Sequence, residues 1–138
     1  MKKYKFLLVA SNFYPEITQN LLKGAQKYLE KNGHDFDTTF TKGSLEIPTK
    51  ISMKLNKSKY DAVVAIGCII KGKTDHYDFI ANAITKTLLE LSIQKKLPIS
   101  NSVLTCKNIK QAKERSSKKL NRAKEAVEAA ITVLQDWN

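Results

Sequence analysis

Glycine, proline and cysteine are scarce in this chain, with five, three and two residues among 138. Breakers so few, and scattered singly, exclude collagen-like, proline-rich and glycine-rich linker compositions. Two cysteines cannot build a disulfide scaffold. Cys68 and Cys106 lie inside apolar segments, without CxxC spacing or His and Cys companions. They read as buried reduced thiols with no metal or redox part. No apolar run approaches the roughly 20 residues of a membrane-spanning helix, and no secretory leader pattern is present; the expectation is a cytoplasmic protein with no membrane contact. Arginine is nearly missing: Arg115 and Arg122 are the only two among 24 cationic residues, and the lysines are spread along the whole chain. The net charge of +11 attracts polyanions at long range. Yet the residue best suited to bidentate phosphate and base recognition is rare, and no basic block is interleaved with aromatics as a stacking surface requires. The charge therefore reads as a solvated lysine surface, and nucleic acid is not an expected partner.

What the chain does have is a globular composition, 42% apolar and 27% charged, and a length that suits one domain spanning residues 1–138. The run from Tyr4 to Ala10 is short and apolar, as in a buried strand. After Pro15, the segment Glu16 to Lys31 sets Ile17, Leu21, Leu22, Ala25, Tyr28 and Leu29 at helical spacing, and Asn32-Gly33 closes it. His34 follows in the connection and reads as structural. Asp35 to Thr41 alternates as a more exposed strand. From Leu45 the period is helical through Ile47, Ile51 and Leu55, with Pro48 confined to the first turn. Asp61 to Ile66 has the continuous apolar character of a strand covered on both faces. Thr74 to Gln94 predicts a long helix with Phe79, Ala83, Thr87, Leu88 and Leu91 on one stripe. Ile99 to Thr105 predicts the last strand, and Asn108 to Gln135 is helical with an interruption near Leu120-Asn121. This alternation predicts a three-layer α/β sandwich: a four-stranded parallel sheet with helices on both faces. Ligands of such sheets bind beyond the carboxyl ends of the strands, which directs attention to residues 11–14, 42–46, 67–76 and 105–107.

The segment Gly67 to Phe79 leaves a buried strand, turns at Gly72 and enters a helix near Thr74. Unpaired N–H groups at a helix start, with a glycine allowing close approach, form an anion site. Lys73 adds charge and Thr74 a hydroxyl; the same residues also serve as an ordinary turn and N-cap. His76 stands in the following turn, and an imidazole beside a bound phosphate can pass protons. Glu46 opens another helix, where it either caps or accepts hydrogen bonds from a polyhydroxy ligand. Phe13 either stacks on an aromatic ring or simply packs. Arg115 either forks onto a phosphate or pairs with a neighbouring Glu. Taken singly, none of these signals decides.

Taken in order they do. Asn12-Phe13, Ile17 and Leu21 to Ala25 are followed by Gly43 to Pro48, Tyr60 to Val63, Gly67 and Thr74 to Asp78. Leu104-Thr105, Gln111-Ala112, Glu114-Arg115 and Asn121 complete the series. This pattern, over essentially the whole chain, resembles the lumazine synthase family. The resemblance implies a condensation of 5-amino-6-ribitylamino-pyrimidinedione with 3,4-dihydroxy-2-butanone 4-phosphate to 6,7-dimethyl-8-ribityllumazine, the penultimate step of riboflavin biosynthesis, with no metal or redox cofactor. It implies that Gly72, Lys73 and Thr74 hold the phosphate with Arg115, that His76 moves protons, and that Phe13 stacks on the pyrimidine. Ser44 and Glu46 then hold the ribityl chain, and the backbone at Ile69 and Ile70 meets the heterocycle. It also implies a homopentamer, alone or twelvefold in a 60-subunit capsid, with sites between subunits and with Asn101 and Arg115 supplied by the chain next door.

The pattern departs where family members usually carry aromatics, here Leu45 and Asn101, a change that weakens stacking by roughly 0.5 to 1.5 kcal/mol at each position. Ser44 replaces a usual alanine, and Lys73 a small or acidic residue. A non-catalytic flavin- or phosphate-binding protein of the same fold is the alternative reading that these departures favour.

Overall fold

The structure is a computed structural model that describes residues 2–72 and 76–137. Four strands, β1 (Lys5–Ser11), β2 (Asp35–Thr41), β3 (Ala62–Ile70) and β4 (Ile99–Cys106), alternate with helices α1 (Pro15–Lys31), α2 (Ile47–Lys57) and α3 (Tyr77–Lys95). Two further helices, α4 (Ile109–Arg115) and α5 (Arg122–Trp137), follow β4. The strands pair in parallel in the order β2-β1-β3-β4, so all their carboxyl ends point the same way. This is the expected three-layer sandwich.

Alternation along the strands splits the core in two. Phe6, Leu8, Ala10, Val64, Ile66, Leu104 and Cys106 face a layer built on Leu21, Leu22 and Leu29 of α1 and Val127 and Ala130 of α5. Leu7, Val9, Val63, Ala65, Ile69 and Val103 face Ile47 and Ile51 of α2 and Ile84 and Leu88 of α3. The central strands are buried on both sides, which is why β1 and β3 read as unbroken apolar runs. β2 lies at an edge, with Asp35, Asp37 and Phe40 exposed and none of its residues fully buried.

Several boundaries differ from the sequence reading. β3 does not stop at Ile66 but continues to Ile70, because β4 pairs with it as far as Ile70 and Cys106. The first residues after Lys42 form a separate 3-10 turn at Ser44–Glu46 before α2, with Pro48 in the first turn of that helix. The stripe expected on α3 is also corrected: Ile84 and Leu88 are the buried residues, whereas Phe79 is 76% exposed and Ala83 also faces outward. The break near Leu120-Asn121 spans the whole connection between α4 and α5. There Asn121, buried, donates to the Asn20 carbonyl at 2.8 Å and accepts the Lys124 N–H at 3.0 Å, tying the start of α5 to α1. No described helix is long and apolar enough to cross a membrane.

His34 is structural, as its position in a connection indicated. Its Nδ1 accepts the Tyr4 N–H at 3.0 Å, and the two rings stack 5.3 Å apart. Burial lowers its pKa below the ordinary 6.5, so the folded chain prefers the neutral ring. Stability is then full above the unfolded-state pKa and falls as pH drops below it, because the unfolded chain takes up the proton first. We expect the thermal midpoint to be flat above about pH 6.5 and to decline as the pH falls below it. His34→Asn, which keeps an acceptor with no proton affinity, should flatten that limb; circular dichroism melts across pH decide, and an unchanged limb would assign it to other groups.

Candidate active site

The carboxyl ends of β1, β2 and β3 bring most of the selected residues to one end of the sheet. Phe13 follows β1, 66% exposed, with its ring held edge-on to Tyr14 at 5.0 Å; an aromatic left this open is available for stacking. The 3-10 turn after β2 is set by Glu46, whose Oε1 accepts the Gly43 N–H at 3.0 Å. The capping role of Glu46 is thus realised, and its exposed carboxylate has a second oxygen to offer a ligand. Leu45 in the same turn is 54% exposed. Ser44 is turned inward and buried, its hydroxyl against Gly67 of β3. A methyl at position 67 would stand 3.0 Å from Ser44 Oγ and 3.2 Å from Ser11 Cβ, so glycine lets the turn after β2 close onto β3.

From Gly67 the strand runs through Ile69, buried, and Ile70, half-buried. The Lys71 N–H donates to the Cys106 carbonyl at 2.8 Å, continuing the ladder by one bond before the chain turns at Gly72. Gly72 has φ +102° and is exposed, a conformation that a side chain opposes. Lys73 and Thr74, the other half of the expected anion site, lie outside the described residues. His76 takes the N-cap position of α3, φ −93° and ψ 3°, its carbonyl accepting the Ile80 N–H at 2.9 Å and its imidazole exposed. It therefore stands one position before the helix rather than inside it.

Asn101 and Arg115 form a second group. Both line a groove of about 340 Å³ along the free edge of β4, together with Thr105, Arg122 and Glu125, and none of Phe13, Ser44, Leu45, Glu46 or His76 lines it. Arg115 reaches this edge because α4 is short and firmly started: the Asn108 side chain accepts the Gln111 N–H at 2.9 Å while Gln111 Oε1 accepts the Lys107 N–H at 2.8 Å. At the other end of α4, Arg115 Nη1 donates to the Thr105 carbonyl at 3.1 Å and to Cys106 Sγ at 3.6 Å. Cys106 is buried, as the sequence indicated, but its contact with Arg115 was not foreseen. Asn101 uses its amide on the protein itself, accepting the Val103 N–H at 2.9 Å and donating to Thr85 Oγ1 at 3.4 Å. A larger groove of about 920 Å³, lined by Tyr60, Asp61, Leu97, Pro98 and Val133, opens at the amino ends of the strands and contains none of the selected residues.

An open aromatic, a carboxylate, exposed strand-end backbone and an imidazole at a helix start together match the needs of a planar ring bearing a polyol and of a phosphorylated partner. The sequence matches the family described as 6,7-dimethyl-8-ribityllumazine synthase over residues 3–136. This chain belongs to that family. A 6,7-dimethyl-8-ribityllumazine synthase of Bartonella tribocorum is 40% identical over 135 residues, covering 96% of this chain and 89% of the relative. The enzyme of the same name from Agrobacterium fabrum is 36% identical, covering 98% and 95%, and that of Bartonella bacilliformis 38%, covering 93% and 86%. Relatives of the lumazine synthase family thus align over nearly all of the sheet and its loops.

The turn at Gly72 gives a direct test. Gly72→Ala forces a side chain into φ +102° and is expected to lower the unfolding free energy by about 1–3 kcal/mol, read as a lower midpoint in denaturant; an unchanged midpoint would mean that the turn relaxes without cost.

Proposed function

We propose that this chain, acting as one domain, is a cofactor-independent lumazine synthase. It condenses 5-amino-6-ribitylamino-pyrimidinedione with 3,4-dihydroxy-2-butanone 4-phosphate, losing phosphate and water, to give 6,7-dimethyl-8-ribityllumazine in riboflavin biosynthesis. The observation that carries this reading is the gathering of Phe13, Ser44 to Glu46, Ile69 to Gly72 and His76 at the carboxyl ends of three adjacent strands, in a chain that matches the family over residues 3–136.

Each group then has a task. Phe13 stacks on the pyrimidine, and the backbone at Ile69 and Ile70 meets its edge. Glu46 accepts hydrogen bonds from the ribityl hydroxyls, Ser44 shaping the floor beneath. Gly72, Lys73 and Thr74, with Arg115, bind the phosphate. His76 takes and returns protons as the amine adds to the ketone, as water leaves to form the imine, and as phosphate departs. Closure of the second ring, by addition of the ribitylamino nitrogen to the remaining carbonyl carbon and loss of a second water, completes the product.

The division into two groups supports a site shared between copies of the chain. Asn101 and Arg115 lie on the outer edge of β4, where an adjacent subunit can use them, and a pentamer arranges five such pairs. α3 supports the same assembly: besides Phe79, its Leu89 and Ile93 are 59% and 78% exposed, leaving an apolar outer face without cover in a single chain. The arrangement serves a homopentamer, and equally twelve pentamers in a capsid. The two unbridged cysteines fit a reducing, cytoplasmic setting.

Purified protein given both substrates should release phosphate and form a fluorescent lumazine faster than buffer does. His76→Ala should lower kcat by roughly 10²-fold with the assembly intact by sedimentation. Assembled wild-type protein that gives no acceleration would overturn the catalytic reading.

A further inference from the structure

Cys106 is fully buried, yet its sulfur touches the one arginine that the proposed reaction uses. Arg115 has five N–H donors. Its Nη1 is engaged twice, on the Thr105 carbonyl at 3.1 Å and on Cys106 Sγ at 3.6 Å. Those acceptors come from consecutive residues at the end of β4, a carbonyl directed outward and a sulfur directed into the core. Together they fix the plane of the guanidinium as one contact alone would not. The remaining donors, on Nε and Nη2, form the side of the fork that receives two oxygens of a phosphate.

The sulfur is itself held. Ile70 pairs with Cys106 in the β3–β4 register, the Cys106 carbonyl accepts the Lys71 N–H at 2.8 Å, and the Cys68 thiol is hydrogen-bonded to Cys106. That bond, aided by the Arg115 charge, lowers the Cys106 pKa while burial opposes the shift, and the same bond raises that of Cys68.

We propose that Cys106 is a positioning residue for phosphate recognition: with the Thr105 carbonyl, its sulfur anchors Nη1 of Arg115 so that the Nε–Nη2 side faces the phosphorylated substrate. This rests on the reading of Arg115 as a phosphate ligand. Removing the sulfur leaves Nη1 on a single bond, and the side chain must then be ordered when phosphate binds. The consequence is weaker binding of the phosphorylated substrate with little change in kcat or in KM for the pyrimidine. A purely space-filling role for Cys106 would not select one substrate in this way.

Cys106→Val removes the acceptor and keeps an apolar side chain, with one heavy atom more in the core; Cys106→Ser keeps an acceptor of similar size. Steady-state kinetics on the assembled protein, with calorimetric binding of inorganic phosphate, separate the cases. Cys106→Val should raise KM for the phosphorylated substrate and Kd for inorganic phosphate by roughly 2- to 10-fold, the scale of ordering one long side chain. Cys106→Ser should recover most of that loss. In an Arg115→Ala background, Cys106→Val should add nothing further, since the two act through one contact. If Cys106→Val fails to assemble, Cys106→Ala carries the same comparison. Wild-type phosphate binding in the Val or Ala variant overturns the proposal, as does an equal loss with and without Arg115. Unchanged phosphate binding in Arg115→Ala alone instead removes the phosphate role of Arg115, and the positioning role with it.

Discussion

Beyond Gly67 the sheet narrows to two strands, and the rest of the site depends on that narrowing. β1 pairs with β3 only as far as Ala10 and Ile66, whereas β4 stays with β3 to Ile70 and Cys106, and Lys71 adds one more hydrogen bond. A two-stranded ribbon thus projects past the four-stranded body. On one side it carries Ile69, Ile70 and the turn at Gly72; on the other it carries Thr105 and Cys106 with Arg115 drawn against them. The space left where β1 stops is taken by the turn from Ser44 to Glu46, which closes on Gly67 because that residue has no side chain. Shortening the β3–β4 pairing by two residues would displace both sides together.

The alternation of strands and helices was legible because central parallel strands bury both faces, and β1 and β3 show this as unbroken apolar runs. The end of β3 was not. A glycine in a strand ordinarily marks a bulge or a break, and Gly67 reads as an ending until Ser44 and Ser11 are seen to crowd it. The face of α3 was illegible for a different reason. Ile80, Ile84, Leu88 and Leu91 turn inward while Phe79, Leu89 and Ile93 turn outward, and a helix apolar on both sides gives no phase for a periodicity to find. Among the candidate residues, Phe13, Glu46, Gly72, His76 and Arg115 were picked out from local pattern, whereas Ser44, Leu45, Ile69, Ile70 and Asn101 entered only through the family resemblance. The Arg115–Cys106 contact joins a helix end to a strand end, and neither segment announces it.

The two departures at positions where the family usually carries an aromatic have different physical characters. Leu45 is exposed and still offers an apolar surface, so it preserves contact with a ring while giving up the quadrupole of an aromatic face. Asn101 gives up the surface as well. Its amide is occupied at both ends, accepting from Val103 and donating to Thr85, so it acts as a brace between β4 and α3 before any ligand arrives. At this edge the chain has therefore exchanged stacking area for a defined hydrogen-bonding surface. In the proposed reaction, discrimination of the heterocycle then falls mainly to Phe13 and to the strand-end backbone, and binding of the phosphate to Arg115, which is fixed independently of Asn101.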